Sequence, residues 1–138
     1  MDTNILRYLA QSHSTLMENF AKAPDDQIVI PFVVVIEHLR GRFDALLKSE
    51  PENMLREQER LRSAQELLSA YQIIYLEDKA IAELVALRQR VKTRKRYTDV
   101  VIAAMALAGD HIVVTRNVND FSDLLPAARI RNWIDHVY

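Results

Sequence analysis

The chain contains no cysteine. That excludes a disulfide framework and any thiolate metal site, and it is compatible with a reducing compartment. Glycine occurs twice and proline four times in 138 residues, too few for the many tight turns of an all-β domain. Neither sign of charge dominates: 18 Lys and Arg stand against 19 Asp and Glu, a formal charge of −1. There is no global basic signature for nucleic acid, so contact with a polyanion has to rest on a local patch. The longest apolar run, "IVIPFVVVI", is far too short to span a bilayer and carries Pro31. The opening "MDTNILRYL" lacks the basic start and apolar stretch of a signal peptide. A soluble, intracellular protein is expected.

What is present is an ordinary globular composition, with 49% hydrophobic and 27% charged residues, in a length that suits one domain with a sizeable core. No repeat, low-complexity tract or linker interrupts it. "NILRYLAQ" and "STLMENFAKA" read as helices, closed by the turn residues of "APDDQ". "IVI" reads as a short buried strand, with Pro31 in the first turn of the helix that follows, "FVVVIEHLRGRFDALLKS". "SEPENMLREQERLRSAQELLSAY" is an amphipathic helix whose apolar members are Met54, Leu55, Leu61, Leu67 and Leu68. "QIIYL" is a strand. "EDKAIAELVALRQRVKT" is a helix with Ile81, Leu84, Val85 and Leu87 apolar. "DVVIAAMALA" is apolar on every side, as a fully buried helix is. "HIVVT" is a strand, "NDFSDLL" a turn or short helix, and "RIRNWI" a last strand. Short apolar strands alternating with helices imply an α/β fold built on a parallel sheet with helices on both faces.

In such a sheet the carboxyl ends of the strands share one edge with the starts of the helices that follow, and ligands bind there. Asp99 opens the buried helix. Thr115, Asn117 and Asp120 follow the "HIVV" strand. Glu37 lies one to two turns into the helix after "IVI", and Asp2 precedes "NILRYL". Four carboxylates at one edge repel unless they take up protons or bind a cation. Oxygen ligands without His or Cys favour Mg²⁺ or Mn²⁺ over zinc. The geometry suggests metal-dependent phosphoryl transfer and does not choose between nuclease, phosphatase and other hydrolases.

Taken singly, each residue has a plainer reading. Asp99 suits the positive end of a helix dipole, Asp120 can cap "FSDLL", Asp2 can cap "NILRYL", and Asn117 can serve a turn. Glu37 follows the apolar "FVVVI" and calls for a partner, with Arg40 in reach along the helix. The six basic residues of "RQRVKTRKR", from Arg88 to Arg96, read either as a solvated helix end or as an RNA-backbone contact. Their position next to Asp99 makes Arg94, Lys95 and Arg96 the candidates for phosphate contact. The four His residues are isolated from one another in sequence, and no metal role follows for them.

"DTN" at 2–4, Glu37 with Gly41 four residues on, "DVVIAA" at 99–104, "TRNVNDF" at 115–121 and "RNW" at 131–133 together resemble the PIN-domain ribonucleases, most closely the VapC-type toxins of toxin–antitoxin pairs. The resemblance spans nearly the whole chain. It implies a single three-layer α/β/α domain over 1–138, with a short parallel sheet between helices. It implies an endoribonuclease that uses Mg²⁺ or Mn²⁺ to direct a water at the phosphorus. Asp2, Glu37, Asp99 and Asp120 would form its acidic quartet, with Asp2, Asp99 and Asp120 on the metal. Thr3, Asn4, Thr115 and Asn117 would be orienting groups. A homodimer and a small antitoxin partner in the cytoplasm are implied as well. Two departures bear on the site. Only Met1 precedes Asp2, where the resemblance calls for an apolar central strand, so that strand is expected to be shortened or missing. Val34 stands where a Thr or Ser is common. A catalytically silent protein- or RNA-binding module, or a hydrolase of small phosphoesters, remain the alternatives.

Overall fold

The computed structural model describes residues 1–24, 27–91 and 97–138. Among these residues the order is α1 (Thr3–Ala10), α2 (Ser14–Lys22), β1 (Val29–Pro31), α3 (Phe32–Lys48), α4 (Pro51–Ser69), β2 (Gln72–Ile74) and α5 (Asp78–Arg90). Then follow α6 (Tyr97–Ala108), β3 (Val113–Val114), α7 (Val118–Phe121), a 3-10 turn (Ala127–Arg129) and β4 (Ile130–Arg131). β1 pairs with β2 in parallel, Ile30 beside Ile73. β3 pairs with β4 in parallel, Val113 beside Ile130. Met1 and Asp2 bridge the two pairs. The Met1 nitrogen donates to the Val29 carbonyl of β1 at 3.3 Å, and the Asp2 N–H donates to the Val114 carbonyl of β3 at 3.1 Å. The α/β fold with short parallel strands agrees with the sequence pattern.

α6 is the core helix. Val100 and every residue from Ile102 to Ala106 are buried, and the small side chains of Ala103, Ala104 and Ala106 let neighbouring elements approach closely. α5 lies against α6, and α4 lies against α3. The α3–α4 pair is less buried than its sequence suggests. On α4 the buried residues are Glu57, Ala64 and Leu68, while Leu55 is 77% exposed. The helix meets the rest of the fold along one narrow seam: Met54 and Leu55 face outward, Leu61 and Leu67 are half-buried, and Leu68 is buried. Glu57 is held there by Arg60 at 2.8 Å. Pro31 also differs from expectation. It is the last residue of β1 and the cap before α3, with φ −62° and ψ 139°. The ring's fixed φ suits an extended residue as well as a helical one. Gly41 leaves α3 unbroken, and a Cβ at that position would meet nothing within 4 Å, so the glycine costs that helix only backbone entropy.

The C-terminal residues are seated by one buried side chain. Asn19 on α2 donates its amide nitrogen to the carbonyls of Trp133 (3.3 Å), His136 (2.8 Å) and Thr15 (3.1 Å). Its amide oxygen accepts from the Tyr138 N–H at 2.8 Å. Among the described residues no helix is long and apolar enough to cross a membrane.

Candidate active site

Asp2 is the cap of α1, with an extended backbone (φ −87°, ψ 173°) that frees its side chain to fold back. Its Oδ1 accepts from the Ile5 N–H at 3.1 Å, and its Oδ2 accepts from the Thr115 hydroxyl. The Thr115 oxygen in turn accepts from the Asn117 N–H at 2.9 Å. The capping reading of Asp2 therefore holds. One carboxylate starts a helix and ties the chain's beginning to the residues just past β3. Asp2 is buried, and burial pushes its carboxyl above the usual carboxylate range. The Thr115 hydroxyl and the Ile5 and Asn4 main-chain N–H groups pull it back.

Thr3 donates its hydroxyl to Glu37 Oε2, which brings α3 to the same rim. Glu37 is exposed, and its hydrogen-bond partner is the Thr3 hydroxyl across the cleft, where helical spacing pointed to Arg40. Asp99 is half-buried in the first turn of α6. Asp120 lies in the first turn of α7, whose cap is Asn117. The helix starts earlier than "FSDLL", at Val118, so the cap position falls on Asn117 and Asp120 lies inside the first turn. α6 packs against α7, the helix that follows β3. Asn4 is exposed on the first turn of α1.

Among the described residues no three Asp, Glu or His side chains stand close enough together to hold a metal ion as placed. Arg94, Lys95 and Arg96 lie outside the described residues. A basic group missed in the sequence stands on the rim. Arg116 follows Thr115, donates to the Tyr8 hydroxyl at 2.6 Å and to Asp135 at 3.3 Å, and lies over the Tyr8 ring. The "TRN" motif drew attention to its neighbours, while Tyr8 is 108 residues away and left no local signal.

The buried Met1 amine has a consequence for stability in a chain that starts at that residue. Burial pulls the α-amino group from 8.0 down to about 6, against the opposing pull of Asp2. Between those values the unfolded chain binds a proton that the folded chain refuses. Stability therefore rises with pH across this window, and falls by about 2–3 kcal/mol as pH drops from 8 to 6. His38 and His111, both lowered by burial, add the same sign below their ordinary 6.5. Asp2 has the opposite sign, because its raised carboxyl favours the fold when protonated. Urea unfolding of free and N-acetylated protein at pH 6 and pH 8 separates these groups. The expected result is a pH dependence that shrinks by that amount on acetylation. An identical dependence in both forms would show that the amine is solvated.

The PIN domain family model matches residues 1–124. No curated protein matches the chain. Among solved structures it is similar to a chain of a toxin–antitoxin complex from Klebsiella pneumoniae, at 25% identity and a TM-score of 0.67, covering 96% of this chain and 94% of that one. With parallel strands, a buried α6 and a rim assembled from the two ends of the matched region, the chain belongs to the PIN domain family.

Proposed function

We propose that this protein is an endoribonuclease that requires a divalent cation, and that it is the toxin of a toxin–antitoxin pair with a small antitoxin as partner. One observation supports the reading: Asp2 caps α1, Asp99 and Asp120 lie in the first turns of α6 and α7, and Glu37 on α3 accepts the hydroxyl of Thr3, the residue after Asp2. The similarity to a toxin–antitoxin chain supports the partner. The donor set is all oxygen, which fits Mg²⁺ or Mn²⁺. Asp2, Asp99 and Asp120 would hold the ion. Bound there, it supplies Lewis acidity toward a phosphodiester. The chain's own groups do the positioning. Thr115 and the α1 N–H groups fix the direction of Asp2. Thr3 holds Glu37 at the cleft, where a carboxylate can orient a water by hydrogen bonding. Arg116, braced by Tyr8 and Asp135, offers a guanidinium to a backbone phosphate. Incubation with labelled RNA should give cleavage with Mg²⁺ or Mn²⁺, none with EDTA, and recovery on adding excess metal. Cleavage that persists in EDTA would overturn the metal requirement.

The second reading is a PIN-domain module that binds RNA or protein without cutting, which suits the lack of a ready-made cluster of three acids or histidines among the described residues. Mn²⁺ titration divides the two, because such a module should show no carboxylate-dependent Mn²⁺ binding.

A further inference from the structure

β1 and β2 end side by side. Their last residues, Pro31 and Ile74, are paired in the parallel register, and the next residue on each is aromatic, Phe32 and Tyr75. Neighbouring strands lie about 4.8 Å apart, so the two rings leave the sheet at one level. They stack, with centroids 5.9 Å apart and planes 19° from parallel. The other ring pairs among the described residues are built differently. Tyr8 meets His13 and Phe20 meets Trp133 edge-on at 81°, and Phe20 meets Tyr71 at 45°. Phe20, which makes two of those contacts, is buried. The stacked pair faces outward: Tyr75 is 68% exposed and Phe32 is half-buried. Phe32 is thus the backing ring, and Tyr75 meets water. Little of the Tyr75 ring is withdrawn from solvent, so burial does not account for an aromatic at this position.

Phe32 opens α3, and one turn on stands Ile36, 58% exposed. A further turn on stands Arg40, also exposed. Positions i, i+4 and i+8 share one side of a helix, so the rings, an aliphatic shelf and a guanidinium follow one another over about 12 Å. The carboxylate nearest Arg40 along the helix, Glu37, bonds to Thr3 instead. On the other side of Tyr75 in the chain, Glu77 and Asp78 are exposed at the start of α5. Resting on the reading of this protein as an RNA-cleaving enzyme, we propose that Tyr75, backed by Phe32, is a stacking platform for an unpaired RNA base, with the adjoining phosphate directed along α3 toward Arg40. The chemistry suits a nucleobase. Every base has a π-face, so an exposed flat ring accepts any of them, and only a base free of its duplex can lie on such a ring. A guanidinium on one side and carboxylates on the other give the backbone one favourable direction. The location suits it too. The carboxyl edge of parallel strands is where ligands bind, and Ile36 immediately precedes Glu37, whose partner Thr3 follows Asp2. The platform therefore holds a nucleotide flanking the scissile one and favours single-stranded over duplex RNA.

Binding of a fluorescently labelled single-stranded RNA in EDTA, where no cleavage is expected, tests the platform apart from catalysis. Tyr75→Ala should weaken binding by about 5–100-fold, the effect of removing one ring from beneath a base. Tyr75→Phe should bind like wild type, and the thermal midpoint of Tyr75→Ala should be unchanged because the ring is exposed. RNAs that each lack one base at a successive position should bind wild type less well at one position, by the same factor, and should bind Tyr75→Ala without that loss. Such non-additivity marks a direct contact between ring and base. Arg40→Gln should flatten the salt dependence of binding. With Mg²⁺ present, the loss in Tyr75→Ala should fall on KM and leave kcat unchanged. Equal affinity of Tyr75→Ala and wild type, or no RNA binding by wild type, would overturn the proposal. Equal affinity together with an altered oligomeric state would assign the rings to a contact between protein copies. Binding that depends on Tyr75 without cleavage in Mg²⁺ or Mn²⁺ would remove the nuclease reading and leave the platform standing.

Discussion

Asp99→Asn should lower RNA cleavage by at least about 10²–10³-fold, the scale lost when one preorganised electrostatic partner of a transition state is removed. The substitution keeps the shape of the side chain and deletes its charge. Asp99 is half-buried in the first turn of α6, where a carboxylate is also favoured by the helix dipole, so a stability loss of about 0.3–1 kcal/mol accompanies it. The two effects separate cleanly. Thermal melting should shift by a few degrees at most, while new RNA ends mapped after digestion should disappear. Cleavage at the wild-type rate by a folded Asp99→Asn protein would remove Asp99 from the site. Growth on induced expression of each form gives the cellular counterpart, with arrest expected for wild type alone.

Phe121→Ala should cost about 3–5 kcal/mol, the range for emptying a buried aromatic site. Phe121 is 1% exposed and is the largest of the fully buried side chains. It belongs to α7, a helix of only four residues, which cannot hold its own shape and depends on this anchor. The thermal midpoint should fall by about 10–15 °C in a domain of this size. Asp120 is its neighbour in sequence, so the rim loses an acid's placement together with its core anchor. Cleavage should therefore drop even at temperatures where circular dichroism shows the variant folded. A variant with an unchanged midpoint would contradict the burial of Phe121, and one destabilised but fully active when folded would separate α7 from the site.

Much of this arrangement is legible in the sequence. "DVVIAAMALA" has no polar side to show solvent, and α6 is the most buried helix of the fold. "IVI", "QIIYL" and "HIVVT" are near-continuous apolar runs, and each contains a parallel strand. The meeting of Asp2 with Thr115 follows from the rule that strand ends and helix starts share an edge. What escapes is tertiary. Helical spacing offers Arg40 to Glu37, but a hydroxyl 34 residues away takes the bond. The apolar stripe on α4 is periodic in sequence and much of it faces outward, because periodicity marks a face without saying how wide a seam will cover it. Where each acid's oxygens end is not legible either. Topology fixes the edge to which a side chain is delivered, and rotamers fix where its oxygen ends.

Asn19 serves its purpose through polarity more than bulk. It gives one nitrogen to three carbonyls and one oxygen to an N–H, and an aspartate of the same outline would turn an acceptor toward three acceptors. The last residues are accordingly lodged like a panel rather than left as a tail. Trp133 and Tyr138, both carried by that panel, line a cavity of about 730 Å³ that reaches β1 and β3. A fluorophore attached at the chain's end would therefore report on what enters the middle of the molecule.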